Sequence, residues 1–107
     1  MAEENTRSIH QRLVERILQG SGQASKDQRR NAFDNADLSD SLKPLLDKVA
    51  TKPAQVTDAD FARASDKGFT DDQLFELVVC AAVGQSTRQY ESGLAALAEA
   101  TADNEAR

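Results

Sequence analysis

A helix-start device is used twice in this chain, and it constrains the fold more than any other feature. It reads Val56-Thr57-Asp58-Ala59-Asp60-Phe61, then Phe69-Thr70-Asp71-Asp72-Gln73-Leu74, with Lys67-Gly68 between the two copies. In each copy a Thr stands where its hydroxyl can accept the N3 backbone N–H. An acid or amide at N3 can return the bond, and apolar residues flank the start at N′ and N4. Two helices joined by a tight glycine corner follow, with Gly68 at the C′ position in a conformation that a Cβ disfavours.

The other segments also read as helices. Ile9, Leu13, Val14, Ile17 and Leu18 recur at helical spacing up to Gly20, predicting an amphipathic helix from about Thr6 to Gln19. Ser25 with Gln28 forms a capping-box pattern for a short helix ending near Asn35. A third helix is expected from Asp40 or Ser41, which places Pro44 in or beside its first turn and buries Leu42, Leu45, Leu46 and Val49. Lys52-Pro53-Ala54-Gln55 is a connector. Only 5% of the residues are aromatic and none is Trp, which suits close helix packing. The expected fold is all-α, about five helices with a long C-terminal one, in a single domain over residues 6–101 with residues 1–5 and 102–107 flexible.

The last helix, from Asp71 to about Ala100, would span about 45 Å, far beyond the roughly 13 Å radius of gyration of a compact domain this size. It must bend near Gly84 or Gly93, or project. Leu74, Leu77, Val78 and Ala81 fall on one face and Phe75, Val79, Val83, Tyr90, Leu94 and Leu97 on or near the opposite one. Three short helices cannot readily cover both, so a homo-oligomer, a dimer or a trimer-based assembly, is expected, with Val79, Val83, Tyr90 and Leu94 at the contact.

Charge and cysteine content exclude several functions. The net charge is −5, all of it from residues 38–107, which carry twelve acids and seven bases; nucleic acid is a poor partner for that surface. A helix-turn-helix reading of the glycine corner fails too, because Asp71 and Asp72 would lead the second helix into phosphate. The longest apolar run, Leu74 to Gly84, is about half a bilayer span and contains Glu76. With no signal-peptide pattern at Met1 to Asn5, a cytoplasmic protein without a membrane partner is expected.

Candidate chemistry is sparse. Cys80 is the only thiol and sits among Val78, Val79, Ala81 and Ala82, so it reads as a small buried hydrophobe ahead of a redox centre. His10 lies among charged neighbours and reads as a solvated helix residue. One Cys and one His make no zinc site. The acids Asp58, Asp60, Asp71 and Asp72 have roles at helix N-termini, and with Asp66 they lack the spacing of a calcium loop. No metal, cofactor or catalytic residue is therefore assigned. Gln85 and Arg88, one turn apart on the face that upstream carries Leu74, Val78 and Ala81, read first as the point where that face reaches solvent, with lining a pocket for a small molecule or bonding across an interface as the alternatives.

From Leu45 to Leu97 the chain resembles the carboxymuconolactone decarboxylase and alkylhydroperoxidase AhpD-like family. The resemblance lies in Leu45-Leu46-Asp47-Lys48-Val49, Val56-Thr57-Asp58-Ala59-Asp60, and Lys67-Gly68-Phe69-Thr70-Asp71-Asp72-Gln73-Leu74-Phe75-Glu76, running into Val79-Cys80-Ala81-Ala82. It implies an all-helical fold and assembly into dimers, trimers or hexamers. The family's peroxidases use a Cys-x-x-Cys pair with a nearby His on a helix upstream of this region, and residues 1–44 contain no Cys. Cys80 matches neither thiol, and no decarboxylase residue carries over. The expectation is a non-redox, oligomeric member without the peroxidase site. The alternatives are a lyase-like small-molecule enzyme or binder using Gln85 and Arg88, and a one-Cys redox protein using Cys80.

Overall fold

The computed structural model describes the backbone of residues 2–106 and the side chains of residues 5–102. Five α-helices and one 3₁₀ turn account for the described elements: α1 (Ala2–Gln19), α2 (Lys26–Asp34), α3 (Lys43–Thr51), the 3₁₀ turn Pro53–Gln55, α4 (Asp58–Asp66) and α5 (Asp71–Ala106). No strand occurs among the described residues, and the all-α expectation holds.

Local chemistry sets most of the boundaries. At α2, Gln28 N–H donates to Ser25 Oγ and Ser25 N–H donates to Gln28 Oε1, both at 3.0 Å; Asn35 ends the helix in a left-handed conformation. Thr70 and Gln73 make the same reciprocal pair at α5, at 2.9 and 3.1 Å. At α4, Asp60 Oδ2 accepts from the Thr57 N–H (2.9 Å) and hydroxyl (3.2 Å). Lys48 Nζ donates to both Asp60 oxygens at 3.0 and 3.1 Å, tying α3 to the start of α4. These bonds, the Thr57 N–H first and Lys48 second, hold the Asp60 carboxyl below the usual range.

Gly68 has φ +102°, as the corner requires. Gly68→Val is expected to lower thermal stability more than Thr57→Ala, since the first imposes backbone strain and the second costs about 1 kcal/mol of capping. Equal and negligible shifts in the melting curves would refute this account of the corner.

Three boundaries differ from expectation. α1 begins at Ala2, ahead of Thr6, and α5 runs to Ala106, past Ala100; the expected loose ends are helical where described, while Met1 and Arg107 lie outside the described residues. α3 starts at Lys43, after turns at residues 40–42, so Pro44 falls at its second position. A missing N–H is tolerated there because first-turn donors have no helical acceptor.

α5 is unbroken through Gly84 and Gly93 for 36 residues, about 54 Å. It therefore projects: the molecule measures 59 × 28 × 21 Å with a radius of gyration of 16.7 Å. α2 and α3 cover one face of its first half, burying Leu74, Leu77 and Ala81 against Ala32, Leu45 and Leu46. α1 packs antiparallel along a neighbouring face. Ile17 lies by Cys80, and His10 by Thr87 and Tyr90, so the two numberings run in opposite directions.

Gly84 explains how α2 approaches so closely. It is buried, and a Cβ on it would lie 1.9 Å from the carbonyl oxygen of Phe33.

Candidate functional site

Arg88 bonds across the junction between α2 and α5, and Gln85 holds its guanidinium from one turn upstream on α5. Arg88 Nη1 donates to the Phe33 carbonyl at 2.6 Å, and Nη2 donates to Gln85 Oε1 at 3.0 Å. Phe33 is next to last in α2, so a cation sits where that helix presents unpaired carbonyls and the negative end of its dipole. The guanidinium is thereby committed to holding two helices together.

Cys80 is buried, and its thiol points at the Ile17 carbonyl, 3.7 Å away. Burial pushes the thiol up to about 11; Arg29 pulls it down and Glu76 adds to the rise, each by a smaller amount. A neutral, sheltered thiol is a poor nucleophile. Ellman's reagent is expected to label native Cys80 on the order of a hundredfold more slowly than the chain in denaturant. Comparable rates would show an accessible thiol.

His10 departs from its expected solvation. It is half-buried, with Nε2 2.8 Å from Thr87 Oγ1 and its ring 6.0 Å from that of Tyr90. It fastens α1 to the middle of α5. No group of three or more His, Cys, Asp or Glu among the described residues could hold a metal ion.

Ile9 and Leu13 share the apolar spacing of α1 with Val14, Ile17 and Leu18, but both are exposed, Ile9 at 63%. At 100° per residue they share an arc of about 60° with Arg16 and Gly20. Arg16 and Gly20 face Phe75 and Val79 of α5 across a shared cleft. The exposed stripe of α1 is therefore on the same side as Phe75, Val79, Ala82, Ser86, Tyr90, Gly93, Leu97 and Ala100, which span about 80° of α5. Within that row Val79 is half-buried and the rest are exposed, Phe75 at 71% and Leu97 at 63%.

Of the residues expected at a contact, Tyr90 and Val79 lie in this row. Val83 packs against the core and Leu94 is half-buried; at 100° per residue they fall within about 40° of Thr87, which meets His10 of α1.

The cleft itself was not legible in the sequence. It has a volume of about 290 Å³ and lies between the end of α1, α2 and the start of α5, with Arg29 and Cys80 in its lining. Arg29, on a helix of very polar sequence, looks solvated but is only 5% exposed. No signal in the residues around it reveals this, because its partners are main-chain carbonyls contributed mostly by α1 and the loop after it.

Comparison with family models, with curated proteins and with solved structures finds no match to this chain. No helix of the described residues is long and apolar enough to cross a membrane.

Proposed function

We propose that this protein is a non-catalytic helical association module that works as a homo-oligomer, in its simplest form a symmetric dimer, built on an AhpD-like scaffold without the thiol peroxidase site. The observation that carries the proposal is the uncovered apolar side of the α1/α5 pair. A contiguous exposed apolar surface of this kind marks an interface. Its row on α5 recurs at intervals of three and four residues (75, 79, 82, 86, 90, 93, 97, 100), the spacing with which one helix meets another lengthwise. Ala82, Ser86, Gly93 and Ala100 keep the row shallow between Phe75, Tyr90 and Leu97, so a second helix can approach closely. A second copy presents the same row. Two antiparallel α1/α5 pairs related by a two-fold axis form a four-helix bundle in which the stripes of both copies are covered.

The redox alternative is disfavoured by the burial of Cys80, and the pocket alternative by the engagement of Arg88 with α2 and of Gln85 with Arg88. The family reading is supported by the all-α architecture and by the capped corner between α4 and α5.

Leu97→Asp tests the association. Its side chain is exposed, so the folded chain tolerates the change, whereas a charge buried between helices without a partner is strongly unfavourable. Sedimentation velocity is expected to show the variant dissociating at protein concentrations at least about tenfold higher than wild type, with helicity unchanged. Identical sedimentation would remove this face from the interface.

A further inference from the structure

Arg29 is a buried cation whose bonding is incomplete. Its Nε donates to the Ser25 carbonyl at 3.4 Å, and its Nη1 donates to the carbonyls of Ile17 (3.2 Å) and Gly20 (2.7 Å) at the end of α1. Nη2 makes no hydrogen bond among the described residues, and no carboxylate there lies within ion-pair distance of the guanidinium. The described residues also contain no side-chain nitrogen or oxygen that is both fully buried and unpartnered. Nη2 therefore keeps some exposure, and the cleft that Arg29 lines is the opening beside it.

The rest of the cleft is consistent with an anion that has an apolar part. Arg16 supplies a second cation, and Ile17, Phe75 and Val79 supply an apolar wall. Glu76 is the acid in the lining, and its oxygens already accept from the N–H groups of Gln23 and Ala24 at 2.8–2.9 Å. Two cations against one engaged acid leave a single net positive charge, which matches a monoanion better than a phosphate dianion. A guanidinium held out of water with only carbonyl dipoles to offset it gains strongly from a counter-ion, and a carboxylate accepts from such a donor in a charge-assisted bond. The volume, near the lower end for small-molecule pockets, suits a chain or ring of modest size and not a nucleotide.

We propose that this cleft is a binding site for an amphiphilic monocarboxylate, such as a medium-chain fatty acid or an aryl carboxylate. The carboxylate accepts from Arg29 Nη2 and from Arg16, and the apolar tail lies along Ile17, Val79 and Phe75. This proposal rests on Arg29 and Arg16 and not on the association described above, but its apolar wall shares Phe75 and Val79 with that row, so a second copy seated there borders the cleft.

The test is a titration of the ¹⁵N-labelled full chain with octanoate, with octanol and acetate as controls for charge and tail, read from the backbone amides. Saturable shifts are expected at Gly20, Ser21 and Glu76, with a dissociation constant of about 0.1–1 mM. Octanol and acetate should each bind about tenfold more weakly or worse. Arg29→Gln should abolish binding. Because Arg29 also holds the end of α1, Arg16→Gln is the companion variant: its side chain is exposed, and it should weaken octanoate several-fold with the unliganded spectrum otherwise retained. Equal binding of octanol and octanoate, shifts confined to the neighbourhood of Ile9, Tyr90 and Leu97, undiminished binding by Arg16→Gln, or no saturable shift at 10-fold above the expected constant would each overturn the proposal.

Discussion

Gly84→Ala is expected to destabilise the fold by about 3 kcal/mol, although alanine is the better helix former by up to about 1 kcal/mol. The added methyl would meet the main chain of Phe33, with the carbonyl oxygen at 1.9 Å and the carbonyl carbon at 2.7 Å. No side-chain rotation relieves that contact, so α2 must move away from α5. The displacement also stretches the 2.6 Å bond from Arg88 to the same carbonyl and loosens Ala32 and Phe33 against the core. For a domain near this size a loss of 3 kcal/mol corresponds to a fall of more than about 10 °C in the thermal midpoint. Gly93→Ala is the internal control. It is helical and exposed and has nothing within 4 Å of the added carbon, so within the single chain it should be neutral or mildly stabilising by propensity; because Gly93 also lies in the row proposed for association, both glycine variants are compared on the Leu97→Asp background. A Gly84→Ala protein as stable as wild type would mean that α2 does not lie where it is described.

Leu77→Ala is expected to have a similarly large effect, about 3 kcal/mol, for the opposite reason. Leu77 is fully buried on the face of α5 covered by α2 and α3, beside Leu45 and Leu46. Removing its branched end leaves a cavity that rigid neighbouring helices close only in part. Urea unfolding should show a lower midpoint with an unchanged slope, since the exposed surface on unfolding is nearly the same. Leu77 does not lie on the uncovered row of α5, so any association should be weakened only as far as the fold itself is. A fall of less than about 1 kcal/mol would place Leu77 outside the core.

The helix starts were legible because their determinants are local. Ser25 with Gln28, Thr57 with Asp60 and Thr70 with Gln73 each complete their bonds within four residues, and the positive φ of Gly68 follows from its place after a helix. Gly84 was visible as an interruption in an apolar helix. Its reason, the close approach of the Phe33 main chain, depends on a residue 51 positions away and has no trace in local sequence. The same holds for His10, whose hydroxyl partner Thr87 lies near the middle of α5, 77 positions away.

α1 was legible only in part. Its apolar residues cover an arc wider than the one face α5 occupies, so Val14, Ile17 and Leu18 are covered while Ile9 and Leu13 remain in contact with water. Periodicity identifies an apolar arc, but it does not say which part a neighbour within the same chain covers. Arg29 was illegible for the converse reason: a charged residue in a polar helix carries no mark of burial when its partners are carbonyl groups of another segment.

In the proposed assembly the exposed side of α1 and α5 is covered by a second copy of the chain. Light scattering on the purified full chain, eluting at micromolar concentration, measures this through molar mass. A particle of at least twice the 11.6 kDa of one chain is expected. A mass of 11.6 kDa across that range, with the helices intact, would contradict it.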